Sequence, residues 1–241
     1  MSEQTIYGIR AIMEAMESGK EIDKVFLKKG LSGTLSQEFL KRVQQNGIVH
    51  TFVPEEKLYK LGDRNHQGVV ATISAIRSIS LDELVSQYHT DKSLFLILDG
   101  ITDVRNLGAI ARTAACTGVS GIILPKNNSA PLSADAVKTS AGALYHIPVC
   151  KVDHLKDALY FMQASGIRIL AATEKTDQKI YDVDLTGALA LVMGSEDKGI
   201  SENILKMVDE RISLPMFGKI ASLNVSVACG AMLYEAVRQR R

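Results

Sequence analysis

No apolar run in the sequence approaches the roughly eighteen residues that a membrane-spanning helix needs, so a bilayer span is not expected. The first residues, MSEQTIYGIR, lack a basic stretch followed by an apolar core, and a secretory signal is not expected either. Cysteine is scarce: Cys116, Cys150 and Cys229 are an odd number, widely spaced, with no CxxC pair. That argues against a disulfide framework and structural zinc, and a reducing cytoplasm is the expected setting. Charge of one sign is also missing. The 28 Lys and Arg nearly balance the 27 Asp and Glu, a net charge of +1, so bulk electrostatics do not announce a nucleic-acid binder. The histidines show no spacing of a metal or hydrolase site. There is no GxxxxGK[ST] P-loop, and no GxGxxG follows the first strand of either half, which disfavours an ordinary Rossmann cofactor site. Repeats, low-complexity tracts and heptads are absent.

What is present suits one large or two modest domains: 241 residues, 46% hydrophobic, with a mean hydropathy of +0.07. Residues 5–73 alternate helix and strand patterns. Ile6, Ile9, Ile12, Met13 and Met16 are expected on one helical face, Leu35–Val43 as a helix, and residues 22–27, 48–53 and 68–73 as strands. We expect a small α/β domain over residues 1–74, a linker over 75–81, and a second α/β domain over 82–241. In the second domain the apolar runs Leu94–Leu98, Gly121–Leu124, Ile167–Ala172 and Ala188–Met193 suit strands buried on both faces of a parallel sheet. Helical segments are expected near 106–117, 153–165, 201–207 and 223–239.

Ligands of an open parallel sheet sit beyond the C-terminal strand ends, and three such ends carry unusual polar residues. The first runs from Leu98 to Thr113, where Asn106 is expected to cap a helix and Arg105 and Arg112, seven apart, share a helical face. Either arginine could grip a phosphate as a bidentate fork or lie on a solvated face. In the second, Gly194 and Gly199 bracket Ser195 and Glu196; glycine there allows close ligand approach or a positive φ. The third runs from Ile212 through Pro215 and Gly218 to Ser222-Leu-Asn-Val-Ser226, where Ser222 and Asn224 either cap the last helix or bind a polar ligand. Local basic clusters at Lys24, Lys28 and Lys29 and at Arg238, Arg240 and Arg241 are candidate RNA contacts or plain solvated faces. His66 could touch a ligand or be structural.

Taken together, Asn106–Arg112 (NLGAIAR), Gly194–Gly199 (GSEDKG) and Leu214–Met216 through Ser222–Ser226 resemble the three motifs of the SpoU (TrmH-like) family of RNA ribose 2′-O-methyltransferases. The match covers about residues 93–240, and Tyr7 through Ala71 is similar to the substrate-binding domain of longer members, especially those acting on a guanosine of large-subunit ribosomal RNA. The resemblance implies a SPOUT-type parallel α/β domain with a deep trefoil knot, preceded by a small α/β substrate-binding domain. It implies a homodimer, S-adenosylmethionine as cofactor, RNA as partner, and no metal. Arg112, Asn106, Glu196, Ser222 and Asn224 are the implied catalytic set, and Thr173, Gly194, Leu214, Met216 and Leu223 the implied cofactor contacts. A transfer-RNA ribose methyltransferase, or an RNA-binding assembly factor without catalysis, would be the alternatives.

Overall fold

The structure is a computed structural model that describes residues 5–61, 66–219 and 222–241. It divides into two compact units: residues up to Arg77 together with Pro131–Asp135, and Ser78–Ala130 together with Ala136–Arg241.

The first unit contains β1 (Thr5–Tyr7), α1 (Ile9–Glu17), β2 (Ile22–Lys28), α2 (Thr34–Gln45), β3 (His50–Val53), α3 (Glu55–Leu61) and β4 (Val69–Ile73). Its sheet runs β1-β4-β2-β3, with only the β2–β3 pair parallel. The alternation of β2 decides its packing, because successive side chains leave opposite faces of a strand. Val25 and Leu27 join Ile9, Ile12, Phe39 and Val43 of α1 and α2 in one core. Phe26 leaves the other face and packs against the cluster of Val53, Leu58 and Val70. Two details differ from the sequence expectation. Ile6 lies in β1 rather than on the first helix, since Gly8 at φ 82 turns the chain before the helix begins. The short, mostly charged α3 was not anticipated; of its seven residues only Leu58 is buried.

The second unit contains α4 (Leu81–Tyr88), β5 (Leu94–Asp99), α5 (Val104–Cys116), β6 (Gly121–Pro125), α6 (Ala134–Thr139, whose first two residues count with the first unit), β7 (Val149–Val152), α7 (Leu155–Ala164), β8 (Arg168–Ala172), β9 (Leu189–Gly194), α8 (Glu202–Leu205), β10 (Glu210–Ile212) and α9 (Val225–Gln239). Its six-stranded sheet, β10-β8-β9-β5-β6-β7, is parallel throughout. Phe95, Leu96, Ile97 and Leu98 of β5 are wholly inaccessible, as expected of a strand covered on both faces. From β5 the chain builds outward through β6 to β7, then crosses to the other side and returns through β8 to β9 beside β5. The order therefore reverses between β5 and β9, and a doubly wound sheet opens its ligand crevice at the carboxyl ends of such strands.

Candidate active site

The carboxyl ends of β8, β9 and β10 surround a cavity of about 650 Å³. Its floor is the close packing of the loop that leaves β9. A Cβ on Gly194 would stand 2.2 Å from the carbonyl carbon of Gly199 and from the backbone N of Ile200, so only glycine fits there. The loop folds back on itself: Gly199 N donates to Ser195 O at 2.8 Å, Ser195 N donates to Gly199 O at 3.2 Å, and Gly199 adopts φ 67. Lys198 N caps the turn by donating to the Ser195 hydroxyl at 3.2 Å. The Asp99 carboxylate at the end of β5 accepts a hydrogen bond from Ser201 N at 2.8 Å, which ties the far end of the loop to the neighbouring strand.

On the opposite wall the segment after β10 is pinned before it reaches α9. The Ser213 hydroxyl lies 3.0 Å from Lys179 Nζ and within 3.1–3.2 Å of the carbonyls of Gln178 and Thr176. Asn224 then begins α9 as its N-cap, accepting from Ser226 N at 2.9 Å and Val227 N at 3.4 Å through its side-chain oxygen. That leaves its amide nitrogen free to point away from the helix. The nitrogen donates to Asn106 Oδ1 at 3.0 Å and to the carboxylate of Glu196. Three separate strand ends are thus joined by one side chain, with the Asn224 orientation fixed by three donors on one side (the Ser226 hydroxyl besides the two backbone amides) and two acceptors on the other.

The expected residues fall as follows. Thr173, Gly194, Leu214, Met216 and Leu223 line the cavity, and so do Glu196, Ser222 and Asn224. Asn106 enters through its bond to Asn224, but it is not the cap of α5. Asp103 takes that place, its carboxylate accepting from Arg105 N at 2.6 Å, and Asn106 lies inside the first turn. Arg112 is exposed on α5, is absent from the cavity wall and has no hydrogen-bond or ion-pair partner among the described residues. The C-terminal arginines are not a free patch: Arg238 forms a bidentate pair with Glu235, and Arg240 donates to the carbonyls of Leu185, Lys92 and Gly187. Lys28 is paired with Glu55 at 2.6 Å. His66 is buried, its Nδ1 accepting from Gly68 N at 2.9 Å.

Of the other cavity residues, Ser195, Lys198 and Ser213 on the wall and Asp99 behind it lie in the three polar strand ends but carry no role in the site expected from sequence, and Lys175 lies outside all three. Their signal was position, since each lies within a few residues of a strand's carboxyl end. Burial pushes the thiols of Cys150 and Cys229 up to about 12, so neither is a thiolate nucleophile at neutral pH. Among the described residues no group of three His, Cys, Asp or Glu could hold a metal ion, and no helix is long and apolar enough to cross a membrane.

Comparison with known proteins meets this geometry. Residues 93–234 match the model of the SpoU rRNA methylase family, and residues 5–78 match that of the RNA 2′-O ribose methyltransferase substrate-binding domain. YacO of Bacillus subtilis strain 168, whose name places it in the TrmH family of tRNA/rRNA methyltransferases, is 36% identical over 244 residues, covering 100% of this chain and 98% of YacO. Among solved structures, the SpoU methyltransferase AviRb from Streptomyces viridochromogenes superposes with a TM-score of 0.63 at 29% identity, over 99% of this chain and 90% of that one. AviRb was also solved in complex with AdoMet, and that structure gives a TM-score of 0.63 at 28% identity, over 98% and 90% of the two chains. The chain belongs to the SpoU/TrmH family of RNA methyltransferases.

Proposed function

We propose that this protein methylates a ribose 2′-hydroxyl of RNA with S-adenosylmethionine, its substrate a guanosine of large-subunit ribosomal RNA. The observation that carries the reading is the Asn106–Asn224–Glu196 bridge at the edge of a cavity of about 650 Å³. That volume lies within the roughly 300–1,000 Å³ of small-molecule sites. The donor set suits the cofactor: Glu174, Glu196 and Asp197 among the lining residues bring carboxylates for a cationic ligand. Thr173, Gly194, Leu214, Met216 and Leu223 would hold it, with Gly194 leaving the backbone open where a Cβ has no room. When bound, S-adenosylmethionine supplies an electrophilic methyl on a positively charged sulfur.

The protein's own work is then to position and deprotonate a hydroxyl, and alignment of reacting groups contributes several kcal/mol. Asn106, Glu196, Ser222 and Asn224 present amide, carboxylate and hydroxyl groups of both hydrogen-bonding senses, which fits a ribose edge. Arg112 is a poor base, because a guanidinium stays protonated above pH 12. Its role in this reading is to grip a phosphate of the RNA in a bidentate fork and draw the sugar into place. A homodimer belongs to the reading as well. Val227 and Tyr234, 55% and 57% exposed and seven apart, leave an apolar stripe on α9, next to α5, that a second copy would cover. The knot implied by the family is supported by the path of the C-terminal segment. It passes from Ser213, bonded to the β8–β9 connection, to Asn224, bonded to the loop after β9.

The test is to incubate the protein with labelled S-adenosylmethionine and separated ribosomal and transfer RNAs, then map ribose methylation. Label at a ribose of large-subunit RNA is expected, and Arg112→Ala should abolish it while keeping the fold. Label confined to transfer RNA would replace the substrate. No transfer together with no calorimetric heat of cofactor binding would overturn the enzyme reading.

A further inference from the structure

Between β10 and α9 the wall of the cavity carries an apolar rim that the fold does not use. Phe217 is 96% exposed, the most accessible large hydrophobic side chain among the described residues, and its neighbours on the rim, Met216 and Leu223, are 40% and 42% exposed. Met216 and Leu223 line the cavity, whereas Phe217, one residue from Met216, points out of it. A phenylalanine in water on a loop gains nothing for folding, since its ring removes no apolar area from solvent. Its surroundings argue for a nucleic-acid occupant. Lys175 and Lys198 line the same cavity and Lys219 lies two residues beyond the ring; all three are exposed and form no ion pair among the described residues. Aromatic rings interleaved with unpaired cations are the arrangement that holds single-stranded nucleic acid: bases stack on the ring while the cations follow the phosphates.

We infer that Phe217 is the stacking platform for the nucleobase attached to the ribose being methylated. The inference rests on the reading above: with the ribose at Asn106, Glu196 and Asn224, its base is carried outward over the rim that Met216, Phe217 and Leu223 form. Stacking tolerates every base, so Phe217 supplies affinity and holds the nucleotide out of its helix, leaving sequence choice to other contacts.

The experiment compares wild type, Phe217→Ala and Phe217→Trp in steady-state methyl transfer to an RNA oligonucleotide spanning the mapped site. Because Phe217 buries nothing, the alanine variant folds as wild type does. It is expected to raise the KM for RNA roughly 5- to 150-fold, the range for one lost base–aromatic stack. Cofactor affinity measured by calorimetry and mass measured by sedimentation should stay unchanged, and Phe217→Trp should restore the KM. An unchanged KM for RNA in Phe217→Ala overturns the inference, as does a parallel loss of cofactor affinity. Dissociation of a dimer in that variant overturns it too, because the ring would then belong to a subunit interface. A wild-type protein that methylates no RNA refutes the underlying reading instead, so the two failures are separable.

Discussion

Asn224 does two jobs with opposite ends of one amide, and substitution separates them. Its oxygen caps α9, accepting from Ser226 N and Val227 N, and its nitrogen joins Asn106 to Glu196. Asn224→Ala removes both functions. Loss of an N-cap costs about 1 kcal/mol, which for a unit of this size lowers Tm by about 2–4 °C. Loss of hydrogen bonding to a charged acceptor is worth about 1.5–3 kcal/mol, or roughly 10- to 150-fold in kcat/KM if the bridge is needed in the transition state. Asn224→Asp is nearly the same size and keeps the acceptor that caps the helix, and its negative charge suits a helix N-terminus. It replaces the donor with a carboxylate oxygen facing the carboxylate of Glu196, so the bridge is broken by repulsion. The expectation is a Tm near wild type for Asn224→Asp and a lowered one for Asn224→Ala, with methyl transfer falling at least tenfold in both. Thermal unfolding by circular dichroism and initial rates with labelled cofactor read the two separately. Wild-type turnover in Asn224→Asp would refute the bridge as part of the site. Equal Tm losses in the two variants would refute the assignment of the oxygen to capping.

Two further outcomes follow from the same geometry. Gly194→Ala places a methyl 2.2 Å from backbone atoms of Gly199 and Ile200, which no side-chain rotation relieves; cofactor binding by calorimetry should be lost, and retention of it would show that the loop can shift. Glu235, buried against Arg238 and Gln239, has its carboxyl held down at about 2 by the hydrogen bonds from Arg238 first and Gln239 second. Because the folded value lies below the ordinary 4.5, this contribution is present above pH 4.5 and drains away as pH falls toward 2. Glu235→Gln should therefore lower Tm at pH 7 and flatten its decline between those pH values, and an unchanged acid slope would remove Glu235 as a source of it.

Much of the second unit was legible because its strands are buried on both faces. Continuous apolar runs in β5, β6, β8 and β9 leave little competing pattern. Edge strand β7 was not read, since a four-residue VCKV with a lysine carries neither a long run nor a clean alternation. The cap of α5 was misplaced by three residues for a similar local reason. Asp103 and Asn106 are both good cap residues, and only the backbone shows that the helix has already begun at Val104.

The site itself was legible as three polar strand ends but not as a constellation. The contact that unites it joins residues 118 apart in the chain, and no periodicity reports such a distance. Gly194 and Gly199 make the same point at shorter range. In the sequence each glycine allowed either a close backbone approach or a positive φ. The structure divides these uses: Gly199 takes the positive φ, 67, with open space where its Cβ would be, whereas Gly194 takes the close approach. An alanine at 199 would meet conformational strain, and one at 194 would meet solid backbone. The motif therefore has two glycines for two different reasons: both line the cavity, but only Gly194 has no room for a side chain. Arg112 marks where motif and geometry part: a residue of the same motif as Asn106, six residues further along α5, stands outside the cavity with its guanidinium unpaired among the described residues. An unpaired cation outside the cavity wall suits the role proposed for Arg112, toward a ligand that extends beyond the cavity, as an RNA chain does and a small cofactor alone does not.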